Sequence, residues 1–445
     1  MFKYKKYFKE IISIAFPIVV GNLGHVLMGA TDVFVAAKHS VETLSAIAIA
    51  NSILFIILLV GLGLLNGISI ILSNYRGEKQ KTKKYFLSGI LLSQCLAGIS
   101  FFVSLLTTYF IPYIGFEENL VPLIQEYMYI TSFSIFGMYL YQAIKEFLQA
   151  HEIVMFPNVF LTVMVIVNLI LNFVFVFGFG SIPAMGITGI SVATLIVRTL
   201  LGITLVIYTR KVLFEQSSKQ ELSFDYPKNI LKTGFPIGVS LLLEVLGFNI
   251  ITIVVGIESS VLAGANNLIL TVINTTFMVP LAISSAIAIK VGFYNGANNL
   301  TEIKNFGRAG LILSSGFMVI CSFLYLTMPD VIIGIFTKNP QITTIAVPII
   351  SLMAIFEIAD GIQTSMGGIL KGLKLTKEVT VCVLSSYWFF GIPVGFYLAY
   401  GCGMSLKGFW LGLTFSLFVI AFLEYIVIVN KYKKIKLSYE KECNN

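Results

Sequence analysis

Residues 235–256 read FPIGVSLLLEVLGFNIITIVVG, an apolar run about as long as a helix that crosses a bilayer, with one charge, Glu244, near its middle. A carboxylate at the centre of such a run costs roughly 2.5–3.5 kcal/mol on insertion scales, so it is expected to face a cavity or a partner. The run has an echo. Residues 16–37 read FPIVVGNLGHVLMGATDVFVAA, and aligning Phe16-Pro17-Ile18 with Phe235-Pro236-Ile237 sets His25 opposite Glu244. At the same offset Ile68, Tyr75 and Gly77 fall opposite Ile287, Tyr294 and Gly296. The chain therefore reads as a duplication in which each half keeps a different polar group in its first helix.

Of 445 residues, 57% are hydrophobic and 12% charged, and the mean hydropathy is +0.90. A soluble fold has too little interior to hide that much apolar surface, so the class is a polytopic membrane protein. The net charge of +8 is no sign of nucleic-acid binding, because the lysines and arginines sit in short loops beside spans, where membrane topology puts them. Lys3, Lys5, Lys6 and Lys9 lead directly into a long apolar run, so no cleavable leader is expected. The five cysteines are scattered without metal-ligand or CxxC spacing and read as inert thiols. A P-loop is lacking, which excludes ATP hydrolysis by this chain. Three histidines (His25, His39 and His151) are too dispersed for a membrane-embedded metalloenzyme, and no filter-like loop repeats between spans as a channel would require.

Apolar runs separated by polar or Gly/Pro breaks predict twelve spans near residues 11–37, 46–73, 87–111, 121–149, 154–178, 186–209, 229–256, 264–292, 307–329, 343–371, 377–400 and 405–430. With the N-terminus inside, all but four of the 30 basic residues fall on the cytoplasmic side, the exceptions being Lys38, Lys338, Lys407 and Arg198. Both termini are therefore expected in the cytoplasm of a multi-pass protein of the cell (inner or plasma) membrane. Six spans per half is an even number, so the halves enter the membrane in the same sense as parallel repeats. The fold class is all-α: an N-terminal six-helix lobe over residues 1–209, a cytoplasmic linker over 210–228, and a C-terminal six-helix lobe over 229–445. Pro17, Pro236, Pro280 and Pro393 are expected to bend their spans.

Polar groups inside the spans carry the function. In the tenth span Glu357, Asp360 and Gln363 recur every third residue and Thr364 follows Asp360 by four, which sets them along one helix face. Two carboxylates so close in low dielectric must share a cation or a proton, which is the chemistry of a cation-coupled carrier. The alternative is that Glu357 points into an aqueous vestibule and Asp360 alone matters. Asp32 lies near the outer end of span one, with Asn168 and Asn172 on span five and Thr194 on span six as expected company. A carboxylate among amide and hydroxyl oxygens suits sodium or a proton, although Asn and Thr also serve as interhelical glue. Asn266, Asn267, Thr271, Asn274 and Thr275 form a stripe on span eight that lines a second cavity or binds helices together. His25 is expected to be an interior histidine, and Lys145 and Glu146 to anchor the cytoplasmic end of span four.

Five fragments in order resemble the multidrug and toxic compound extrusion (MATE) transporters over essentially the whole chain. They are residues 16–32 with LSAIAIANS after them, NGISIILSNYRGEKQ (66–80), NLILNFVFVFGFGSIPAMGITGISVATL (168–195), FPIGVSLLLEV (235–245) and ADGIQTSMGGILKGLKLT (359–376). The resemblance implies a V-shaped pair of lobes around a cleft and export of amphiphilic, often cationic drugs in exchange for Na⁺ or H⁺. It implies a monomer without cofactor, its coupling ion apart. It also maps Asp32, Asn168, Asn172 and Thr194 onto the first-lobe cation site, and Glu244 and Asp360 onto the acidic pair of the norfloxacin-extruding branch. Glu357, Gln363, Asn267 and Asn274 complete the expected second-lobe cation and substrate site. The alternative within transport is a lipid-linked oligosaccharide flippase. Such a protein needs basic residues along its cleft, and only Arg198 lies deep in a span.

Overall fold

The computed structural model describes residues 4–213 and 225–443, so residues 214–224 of the expected linker lie outside the described residues. Regular structure among the described residues is helical, apart from one isolated bridge between Phe179 and Ile182. The long helices are α1 (Lys5–His39), α2 (Val41–Leu65), α3 (Gly67–Gly77), α4 (Phe86–Phe110), α5 (Leu120–Ala150), α6 (Met155–Phe177) and α7 (Ile187–Leu213), then α8 (Asp225–Glu258), α9 (Ser260–Gly296) and α10 (Leu300–Thr327). The short α11 (Pro329–Phe336) precedes α12 (Pro340–Gly372). Next, α13 (Thr376–Leu384) runs on through wide π turns over Ser385–Gly391, a five-residue α14 (Ile392–Phe396) and more π turns over Tyr397–Gly401, before α15 (Ser405–Cys443).

Among the described residues, eleven stretches are long and apolar enough to cross a bilayer. The expected fourth span, α5, falls short of the others in hydropathy, and its place in the fold explains why. It packs against α2, α4 and α7, and its Tyr127, Tyr139 and Tyr141 are almost completely buried. A helix surrounded by protein needs less apolar surface than one facing lipid. Lys145 and Glu146 correct the expectation of an anchor at the membrane face. Both are buried, and Glu146 accepts hydrogen bonds from Gln142 (3.1 Å) and Gln149 (3.2 Å).

The duplication extends to the turns. Ser40 caps α2 by accepting from the Thr43 N–H (3.1 Å), and Ser259, its counterpart at the repeat offset, caps α9 by accepting from the Val261 N–H (3.2 Å). Lys79 and Asn298, also counterparts, both take left-handed backbone at φ 59° and 53°. Each lets the next residue bond back to a helix carbonyl: Gln80 N–H to Tyr75 O and Asn299 N–H to Tyr294 O, both 2.9 Å.

The chain divides into two compact units, the first comprising residues 17–76 and 80–238, the second residues 1–16, 77–79 and 239–445. The division runs through the two FPI repeats: α1 changes unit at Pro17 and α8 two residues after Pro236. Each unit is built on one central helix, α5 in the first and α12 in the second, which packs against α9, α10 and α15.

Glycines set how closely the helices approach. A Cβ on Gly137 of α5 would lie 2.6 Å from the Arg198 carbonyl of α7, and one on Gly368 of α12 would lie 2.6 Å from the Ser284 carbonyl of α9. Backbone on the far side cannot yield as a side-chain tip can. Gly137→Val and Gly368→Val are each expected to destabilise by about 1–3 kcal/mol and to lower both the melting temperature in detergent and the yield of monodisperse protein. Gly98→Ala, with open space around it, should change neither.

Candidate functional site

In the first unit α1 carries Asp32, which is buried, and α6 and α7 bring Asn172 and Thr194 to opposite oxygens of its carboxylate. Asn172 Nδ2 donates to Oδ1 (2.7 Å) and Thr194 Oγ1 donates to Oδ2 (3.2 Å). Asn168, one turn before Asn172, accepts from Asn172 Nδ2 (3.2 Å), and the Thr31 hydroxyl lies 2.6 Å from its Oδ1. All four expected residues thus meet at one point, and Thr31 joins them. Asn168 Nδ2 and Asn172 Oδ1 are buried without a hydrogen-bond partner among the described residues. An orphaned amide oxygen beside a carboxylate is an arrangement a small hard cation would complete.

Arg198 adds a positive charge to this unit. It stands one turn after Thr194 on α7, donates to Ser134 Oγ of α5 (2.9 Å) and interacts electrostatically with Asp32 and Tyr127. His25 lies edge-on to Tyr141 with ring centroids 6.0 Å apart.

The second unit holds a more dispersed set. Asp360 of α12 is buried and accepts from Gln363 Nε2 (3.1 Å), with the Thr364 hydroxyl 3.5 Å away. Glu244 of α8 is half-buried and is Asp360's electrostatic neighbour. Glu357 does not point into a vestibule, as the alternative reading held. It is fully buried and accepts from Thr276 of α9 (3.0 Å), whose hydroxyl also meets Tyr325 of α10 (3.1 Å). Glu357 therefore leans toward α9 and α10.

The α9 stripe splits. Asn266 is glue: its Nδ2 donates to Thr252 of α8 (2.9 Å), and its Oδ1 accepts from Trp410 of α15 (3.1 Å). Asn267 and Asn274 are exposed, and no described hydrogen bond joins their side chains to Glu244 or Asp360. Their exposure leaves them free to line a cavity but does not join them to the acidic pair by hydrogen bonds. They lie on the face of α9 turned away from the buried core, which periodicity alone does not identify.

Two further ionisable residues belong to the second unit. Glu424 of α15 is fully buried, and Lys371, expected among the cytoplasmic loop charges, is half-buried near the end of α12 and interacts with both Glu424 and Glu244. The signal for Glu424 was present: it is the one acid in the apolar run 405–430.

Comparison with known proteins places this architecture. The MatE family signature matches residues 17–174 and 236–397, one copy in each half of the duplication. The multidrug resistance protein NorM of Vibrio cholerae is 26% identical over 431 residues, covering 94% of this chain and 94% of its own. NorM of Photobacterium profundum is 26% identical over 430 residues, covering 93% of each. Among solved structures, the Vibrio cholerae MATE transporter VcmN in its bent form superposes with a TM-score of 0.88 at 17% identity, covering 98% of this chain and 99% of that one. The eukaryotic MATE transporter AtDTX14 superposes with a TM-score of 0.86 at 18% identity, over the same shares. With the family signature spanning most of both halves, the chain belongs to the MATE family of membrane transporters.

Proposed function

We propose that the protein exports amphiphilic, often cationic drugs across the cell membrane in exchange for inward-moving Na⁺ or H⁺, by alternating access and without an organic cofactor. The observation that carries this reading is the Asp32 cluster, a buried carboxylate held by Asn172 and Thr194 beside an orphaned amide oxygen. The multidrug resistance names of the NorM relatives support the drug substrates. A cation on the carboxylates disfavours drug in the outward-open state, and drug bound from the inner side disfavours the cation. Two ligands that bias opposite outcomes exchange across the membrane with no further machinery. A single chain carries both candidate sites, so a monomer suffices.

The test is efflux of a fluorescent lipophilic cation from proteoliposomes, driven by a sodium gradient alone and then by a pH gradient alone. Efflux under one of them supports the reading and names the ion. Efflux under neither, with protein shown to be inserted, refutes it.

The orientation belongs to the same proposal. With both termini cytoplasmic, a cysteine introduced within residues 210–228, the expected linker, should resist impermeant thiol reagents in intact cells, and one replacing Glu117 should react. Strong labelling there would reverse the topology.

A further inference from the structure

We infer that Glu424 is a proton-binding site of the second unit, separate from the Asp360 pair and joined to it along one face of α12. Glu424 is fully buried, and neither of its carboxylate oxygens has a hydrogen-bond partner among the described residues. Its Oε1 rests over Gly367 of α12, 3.3 Å from where a Cβ would stand, so the glycine makes room for the carboxyl. Gly367 follows Asp360 by seven residues and precedes Lys371 by four, spacings that set all three on one helix face. At 1.5 Å per residue the carboxyl of Glu424 meets α12 about 10 Å along the axis from Asp360 and about 6 Å from Lys371.

The groups around Glu424 come from each packed element. From α12 there is Lys371, which also senses Glu244. From the α13 segment there are Cys382, itself near Glu378, and Tyr387, which interacts with Glu244, Asp360 and Glu424 together. From α10, Lys304 stands over the Tyr432 ring and Arg308 interacts with Tyr432, two turns farther along α15. Tyr387 is buried in the π-turn stretch Ser385–Gly391, an irregularity that recurs where helices carry function.

The ligand follows from the surroundings. A carboxylate left charged in an apolar core without a donor is costly. A proton removes that charge and needs nothing but the carboxyl, whereas a sodium ion needs several further oxygens.

Infrared difference spectra of the purified protein, recorded as pH is stepped, test this without any transport. The wild type should show a neutral-carboxyl C=O band that is lost in Glu424→Gln, kept in Asp360→Asn, displaced in Glu424→Asp and unmoved by sodium at constant pH. A spectrum unchanged by Glu424→Gln overturns the inference, and a band that answers to sodium rather than pH makes this a sodium site instead. Because Gln mimics the protonated acid, the variant should melt near the wild-type temperature; should it fail to fold, the Glu424→Asp displacement decides. The role in the cycle rests on the exporter reading, and a second readout separates the two. Adding tetraphenylphosphonium to weakly buffered wild type should release protons, and Glu424→Gln should release measurably fewer. Equal release in the two proteins overturns the coupling, while failure of the wild type to bind the cation counts against the exporter reading and leaves the infrared result standing.

Discussion

Asp32→Asn is expected to abolish gradient-driven efflux, with a loss of at least about tenfold, equivalent to about 1.4 kcal/mol, while the protein still inserts and folds. The substitution keeps the shape of the side chain and removes its charge. In the wild type both donors converge on the carboxylate, Asn172 on one oxygen and Thr194 on the other. An amide accepts from only one of them and turns its own NH₂ toward the second, so the cluster loses both the charge that attracts a cation and part of its ordering. The fold should tolerate this because Arg198, the nearby cation, keeps its bond to Ser134. Thr194→Val, which leaves the charge in place, should cost less. The measurement is initial efflux rate from proteoliposomes under the gradient that drives the wild type, with reconstituted protein quantified. Export by Asp32→Asn at the wild-type rate would reduce the first-unit cluster to interhelical glue.

That cluster is also where the sequence was most legible. A polar side chain inside an apolar span is rare enough to be noticed one residue at a time, and Asp32, Asn168, Asn172 and Thr194 each stood out in that way. Helical spacing then set Asn168 and Asn172 on one face, and the packing of α6 beside α7 completed the meeting. Legibility failed where depth or direction decided the outcome. Lys371 lies near a span end beside Lys374 and merges there with topology charges; Glu424 stands out as the one acid of its run, but only packing reveals that it is buried against Gly367. The α9 stripe, read as cavity lining or as glue, was legible in period but not in direction. Its period was right, but Asn266 turns into the α8–α15 contact while Asn267, the next residue, faces out. Glu357 and Asp360 are three apart on one helix face, yet their hydrogen bonds diverge, to Thr276 and to Gln363.

Those divergent partners sharpen the expectation for the second unit. Glu244→Gln and Asp360→Asn should each abolish export of a cationic drug, and the double mutant should be no worse than either single one. Glu244 and Asp360 sit on different helices of the same unit and act on each other electrostatically, so a cation placed near one is held by both. Removing either charge leaves a single carboxyl facing a ligand that two were holding, and residues that act as one unit lose their effect once, not twice. Glu357 stands outside the pair because Thr276 and Tyr325 already engage its side of α12. Glu357→Gln keeps the acceptor that Thr276 uses and should therefore retain most activity, with a loss well short of the two pair mutants. Efflux rates of the four variants, under the sodium or pH gradient that drives the wild type, distinguish the outcomes. Normal transport by both single mutants would remove the pair from the mechanism and leave coupling to Asp32. A double mutant much worse than either single would mean that Glu244 and Asp360 hold separate ligands, one the ion and the other the drug.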